Sequence, residues 1–199
     1  MNKNPDVLLG DSIYKTNKFG MPCFYVAGID GQNQVFTVIL CFLDNETEDN
    51  YDFLVQKLKS LFKPGVFPSV FAVDAKPALI SAVKRHFPPI RTKLVLCYWH
   101  VSKNVLTNCK AKFETEERWE EFLKMFRDVV YSKTKEEYED LVAEWKAEFH
   151  WNDGNTYRAP ANSTAQEVQD AAEKELERSA LVYTIGQWLT THKKRLVHA

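Results

Sequence analysis

The chain has 199 residues and a mass of 23.1 kDa, with 45% hydrophobic residues, 27% charged residues and a formal net charge of −1. That composition suits one globular domain, or one domain with a large insertion, and excludes disordered, collagen-like and fibrous chains. The near-neutral total hides an asymmetry: residues 1–113 carry 14 Lys/Arg against 9 Asp/Glu, and residues 114–199 carry 12 against 18, so only the front half would tolerate a polyanion.

Residues 7–14 are apolar and short and predict a first strand. Residues 22–29 predict a second, and Asp30-Gly31 is the two-residue hairpin signal that turns the chain back. Residues 34–43, β-branched and aromatic, predict the third strand of an antiparallel meander. The period then changes: Tyr51, Leu54, Leu58 and Leu61 or Phe62 recur every three to four residues and predict an amphipathic helix over residues 45–62, ended by Pro64 and Gly65. Residues 69–73 read as a buried strand leading to Asp74, and Pro77 sits where the first turn of a helix accepts it. That helix presents Leu79, Ile80, Val83 and Phe87, and a strand over residues 92–98 follows Pro88-Pro89. The order is βββ-α-β-α-β.

From residue 101 the pattern is helical. Residues 101–113 predict one helix. Trp119, Phe122, Leu123, Phe126 and Val130 form the apolar stripe of the next, and Tyr138, Leu141, Val142, Trp145 and Phe149 that of a third. After a polar break over residues 152–164, Val168, Ala172 and Leu176 open a last helical stretch that resumes through Leu181, Ile185 and Trp188. All of these stripes are expected to be core.

The longest nearly apolar run, residues 35–43, is about half of what a membrane-spanning helix needs. The first six residues lack the apolar stretch of a secretory signal, so a soluble intracellular chain is expected. Cys23, Cys41, Cys97 and Cys109 then read as free thiols. Lys193-Lys194-Arg195 reads as a solvated helix end.

Three features can carry chemistry. Asp11 interrupts an apolar strand, where a charge is costly unless it binds metal, is paired, or points to solvent at the strand edge. Asp74 closes a buried strand ahead of a helix, where it either caps the helix or serves a site. A right-handed crossover places the fourth strand beside the first, so the two aspartates are expected to face each other. Paired carboxylates repel unless divalent cations screen them, and such a pair suits two-metal phosphoryl transfer. Cys97-Tyr-Trp-His100 can supply half of a tetrahedral zinc site, with Cys109 as a third ligand and no fourth in view. A buried strand end accounts for Cys97 equally well and is preferred to zinc.

These residues resemble a family. Asp11-Ser-Ile-Tyr-Lys-Thr-Asn17 with Gly20-Met-Pro22 is similar to the opening of the Mutator-like element (MULE) transposase domain. So are Leu43-Asp-Asn-Glu-Thr-Glu48 with Tyr51, Val73-Asp74 with Ala78-Leu79, Leu96-Cys-Tyr-Trp-His100 with Lys103-Asn104, and Gln187-Trp188-Leu189 with His192-Lys193. The resemblance implies a ribonuclease H-like mixed sheet with an all-α insertion: a catalytic core over residues 1–100 and the insertion over residues 101–199. It also implies an aspartate, aspartate, glutamate metal site. The family's two aspartates fall on Asp11 and Asp74, and its Cys-x-x-His element on Cys97 and His100.

By the same resemblance, two Mg²⁺ or Mn²⁺ ions would activate a water and then a DNA 3′-hydroxyl for attack on phosphodiesters at element ends. The family's glutamate follows the insertion; Glu144, Glu148, Glu173 and Glu175 lie within it, and none matches that position. The chain is therefore expected to be a fragment of a cut-and-paste transposase catalytic domain with at most weak Mn²⁺-dependent nicking. Transposon-end and target DNA are the implied partners, with self-association, a nuclear location and no membrane. The alternative is an inactive relic or domesticated module for DNA association or oligomerisation. A stand-alone ribonuclease H-type nuclease has no use for so large an insertion. Without the fold's last helix, an apolar sheet face is expected to be exposed or covered by the insertion.

Overall fold

A computed structural model describes residues 6–151 and 159–190 of the chain. Residues 192–195, and most of the polar break expected over residues 152–164, lie outside the described residues. The chain divides into two compact units, Met1–Val101 and Ser102–Ala199.

In the first unit, β1 (Val7–Ile13), β2 (Cys23–Ile29) and β3 (Val35–Phe42) form the expected antiparallel meander. Then come α1 (Glu48–Ser60), β4 (Val70–Val73), α2 (Pro77–His86) and β5 (Lys93–Leu96). The five strands form one mixed sheet in the order β3-β2-β1-β4-β5, with β4 parallel to β1 and β5 parallel to β4. The fourth strand thus lies beside the first, as the crossover rule anticipates.

Both connecting helices cover one sheet face. Leu8, Phe24, Val26, Phe71 and Val73 are buried there with Tyr51, Leu54, Val55 and Leu58 of α1 and Leu79 and Val83 of α2. The Phe24 and Tyr51 rings meet edge to face at 5.8 Å, and Phe71 and Phe87 do the same at 5.8 Å. Gly10 belongs to this face because the rings leave no room for more: a Cβ there would stand 3.0 Å from Phe71 and 3.1 Å from Phe24.

Directly opposed residues in an antiparallel pair share a face. Leu9, Asp11 and Ile13 therefore look away from the helices, together with Tyr25, Leu40 and Phe42. Leu9, Ile13, Val35, Leu40 and Phe42 are exposed, while Cys23, Ala27, Ala72 and Val95 of the same face are buried, so this second face shows its large apolar side chains to solvent mainly over β1 and β3. A bulge at Val38, between the Val26–Ile39 and Ala27–Thr37 pairs, restores the in-out alternation along β3.

Two local expectations are corrected. The β2–β3 turn is not a two-residue Asp-Gly turn, which would need two successive left-handed residues. The Asp30 carboxylate instead accepts the Gln32 and Gln34 amides at 3.0 and 2.9 Å, and the Asp30 amide donates to the Gln34 carbonyl at 3.1 Å. Asn33, rather than Gly31, takes the positive φ of 59°. In addition, α3 (Tyr98–Cys109) begins three residues earlier than expected and ends in a 3₁₀ turn, Lys110–Lys112. His100 therefore sits in a first helical turn.

In the second unit, α4 (Glu116–Val130), α5 (Lys135–Glu148) and α6 (Ala165–Thr184) follow, and α6 runs on into a π-helical turn, Ile185–Thr190. Thr115, Thr134 and Thr164 cap the three helices, the last in a reciprocal capping box with Glu167. Phe122 is the hub of an aromatic core, its ring centroid 4.9 Å from Trp145, 5.0 Å from Phe113 and 5.1 Å from Phe149. The Arg118 guanidinium forks onto Glu177 at 3.0 and 2.8 Å and reaches Glu148 at 2.7 Å.

The expected stripe on α6 is corrected. Val168 and Leu176 are 52% and 49% exposed, while Ala171, Ala180, Leu181 and Thr184 are buried. Apolar periodicity marks a helix, but a stripe is buried only where another element lies against it. None of the described helices is long and apolar enough to cross a membrane.

Gly10→Val should destabilise the first unit by about 1–3 kcal/mol, because Phe24 and Phe71 are fully buried and have nowhere to move. Urea unfolding would measure this, and an unchanged midpoint would contradict the close approach.

Candidate active site

The site is built by register. Within the β1–β4 pair, Gly10 lies beside Val73, so Asp11 and Asp74 are the next matched positions. In the β4–β5 pair Val73 lies beside Leu96, and the Cys97 amide donates to the Val73 carbonyl at 2.8 Å, so Cys97 extends the same row. Adjacent strands are about 4.8 Å apart, so the backbones of Asp11, in the last half of β1, and Asp74, just past the end of β4, leave the ladder as neighbours. The chain order reverses between β1 and β4. Open α/β sheets bind ligands at such a switch point.

Each aspartate is oriented by its own backbone. Asp11 Oδ1 accepts the Ser12 amide at 2.7 Å, and Asp74 Oδ1 accepts the Ala75 amide at 2.7 Å. Asp74 does not cap α2: the capping position is Lys76, and Pro77 opens the helix as expected. The Asp11 side chain is half exposed, and His100 Nε2 lies 3.5 Å from its Oδ1. His100 Nδ1 is buried without a hydrogen-bond partner, and its ring meets the exposed Trp99 edge to face at 4.8 Å.

Cys97 and His100 flank the aspartates, but the other expected zinc ligand is engaged elsewhere. The buried Cys109 thiol faces the Ala180 carbonyl at 3.8 Å and the Thr184 hydroxyl at 3.6 Å. The four cysteines are free thiols. Among the described residues no three His, Cys, Asp or Glu side chains group as a metal cage. Glu148 and Glu175 pair with Arg118 and Arg178, at 2.7 and 2.5 Å, and Glu173 accepts from Gln169 at 3.1 Å. Glu144 is exposed on α5.

A network beside the aspartates had no signal in the periodicity of the sequence. Glu46, in the loop between β3 and α1, accepts hydrogen bonds from Ser12 at 2.7 Å, Tyr51 at 2.6 Å and Lys76 at 2.5 Å on one oxygen. Its other oxygen accepts from Tyr14 at 2.6 Å. Lys76 also donates to the Tyr14 hydroxyl. Burial pushes the Glu46 carboxyl upward, but the bonds from Lys76, Tyr14, Tyr51 and Ser12 outweigh it and hold the pKa at about 2. For Tyr51, burial and the Glu46 carboxylate push the phenol up to about 12. Burial works to lower the Lys76 ammonium, yet its bonds to Glu46 and Tyr14 raise it above the usual lysine range.

A carboxyl whose folded pKa lies below its unfolded value stabilises the fold above the unfolded pKa, about 4.3, and loses that contribution as pH falls. Glu46 should therefore stabilise the chain at neutral pH and lose its contribution down to a pH of about 2. The difference in melting temperature between the wild type and Glu46→Gln should close over that window; a constant difference would contradict the network.

Three similarities bear on this chain. One is the PKS-NRPS hybrid synthetase cheA of Chaetomium globosum, 27% identical over 176 residues; these are 87% of this chain but 3% of the synthetase. The chain thus spans a small fraction of that relative, whose name says nothing about these residues. Another is the crystal structure of the yeast mitochondrial Holliday junction resolvase Ydc2, 10% identical over 96% of this chain and 86% of that one. Its TM-score of 0.28 is too low to support an argument about fold or activity. The third covers the sheet, both aspartates, the Glu46 network and the Cys-x-x-His element: residues 7–104 match the MULE transposase domain, so that stretch, just under half of the chain, is a domain of that family.

Proposed function

We propose that the first unit is a ribonuclease H-like nuclease core that acts on DNA phosphodiesters, with Asp11 and Asp74 as the carboxylates that hold catalytic divalent cations. The observation that carries this reading is that each directly follows the last matched pair of the parallel β1–β4 ladder, Gly10 with Val73, at the point where the strand order reverses.

The donor set fits Mg²⁺ or Mn²⁺. Both side chains offer hard carboxylate oxygens, and each keeps Oδ2 clear of protein hydrogen bonds among the described residues. Mg²⁺ is commonly held by one or two carboxylates, with waters and substrate phosphates completing its shell. When bound, such a cation supplies Lewis-acid polarisation of a phosphodiester. The chain's own part is positional. The Ser12 and Ala75 amides fix the carboxylates, the open sheet face leaves them accessible, and the excess of Lys/Arg over residues 1–113 favours a polyanion. His100, beside Asp11, contributes an imidazole at the rim.

Transposon-end and target DNA, two ions, nuclear location and self-association are parts of the same proposal, carried from the family. So is the division into a catalytic core and a helical insertion. A second reading, an inactive DNA-associated or oligomerisation module, is favoured by one observation: no third acid joins Asp11 and Asp74 among the described residues.

Nicking of supercoiled plasmid separates the two. The first reading expects weak nicking in Mn²⁺, abolished by Asp11→Asn and by Asp74→Asn with the fold intact. DNA binding that persists with no nicking, and is unchanged in both variants, would select the second.

A further inference from the structure

The Glu46 network lies outside the nuclease reading, yet its members flank both aspartates. Ser12 follows Asp11 and Lys76 is two residues beyond Asp74. The Lys76 backbone is fixed as the N-cap of α2, where its carbonyl accepts the Ile80 amide at 3.0 Å. Only its side chain is left to choose a partner. The cation nearest in sequence to Asp74 could satisfy that carboxylate directly, because a lysine ammonium on a four-carbon stem reaches in many directions. Such a pair would occupy the place a divalent cation needs.

The structure shows the ammonium held elsewhere. It bonds to Glu46 Oε1 at 2.5 Å and to the Tyr14 hydroxyl, with its charge 5.2 Å from the centre of the Tyr14 ring. Glu46 is itself anchored, because Tyr51, its donor on α1, is fully buried in the core. The clamp is thus tied to the same helix that covers the sheet.

We infer that Glu46 is a positioning residue for the Asp11–Asp74 pair: it holds the Lys76 ammonium away from the two carboxylates and so leaves them free for a divalent cation. This rests on the reading of the two aspartates as cation ligands, and the test separates the two ideas.

Mn²⁺ alone is titrated calorimetrically into the purified chain, with thermal unfolding recorded for every variant. The wild type should bind Mn²⁺ and Asp74→Asn should not. Glu46→Gln should bind about tenfold more weakly, the scale seen when partners of metal ligands are removed. The double variant Glu46→Gln/Lys76→Met should recover wild-type affinity, because the competing cation is gone; a purely structural Glu46 would gain nothing from a second substitution. Lys76→Met alone should bind as well as the wild type or better, and it decides the matter if Glu46→Gln does not fold. Unchanged binding in Glu46→Gln, no recovery in the folded double variant, or weaker binding in Lys76→Met would overturn the clamp while leaving the aspartate reading intact. Wild-type protein that binds no Mn²⁺ would overturn both.

Discussion

Parallel pairing of β1 with β4 is the constraint on which the rest of the first unit depends. A strand and its parallel neighbour need a crossover connection, and here residues 43–69, with α1 at their centre, carry the chain from the edge strand β3 back past β2 and β1. That crossover puts α1 on the sheet face where Gly10 admits the Phe24 and Phe71 rings, and it sets the register that ends with Gly10 beside Val73, one residue ahead of Asp11 and Asp74. One pairing therefore decides which face is core, where the strand ends converge, and which acids become neighbours.

The two faces of the sheet divide the work. The covered face is closely packed around aromatic side chains. The other face carries Asp11 among exposed Leu9, Ile13, Leu40 and Phe42. A charged side chain is tolerated there because water reaches it: the Asp11 side chain is half exposed. Glu46 links the two regions: its partners come from β1, the loop after β1, α1 and the start of α2, so the site borrows its rigidity from the packed side.

The second unit owes its stability to other terms. Threonine caps start each of its three helices, an aromatic cluster fills the space around Phe122, and Arg118 ties Glu121, Glu148 and Glu177 together. The long helix α6 is buried mainly near its C-terminal end, from Ala180 onward, so Val168 and Leu176, which precede that stretch, remain at the surface.

The sequence by itself determined what depends on neighbours along the chain. Alternation and apolar runs located all five strands, three- and four-residue periodicity located the helices, and Pro77 marked the start of α2. The matched motifs pointed to the family in which residues 7–104 now stand. Asp11 and Asp74 stood out as candidates because a carboxylate within an apolar strand, or closing one, is costly unless it is paired, metal-bound or solvated. Tertiary structure decided whatever depends on which elements meet. It selected Ala171 and Ala180 over Val168 and Leu176 as the buried positions of α6, and it closed the β2–β3 turn through the Asp30 side chain. It also gathered Ser12, Tyr14, Glu46, Tyr51 and Lys76, up to 64 positions apart in the chain, around one carboxylate. Periodicity records the face of an element, whereas a hydrogen-bond network needs distances between elements, and only the folded chain sets those.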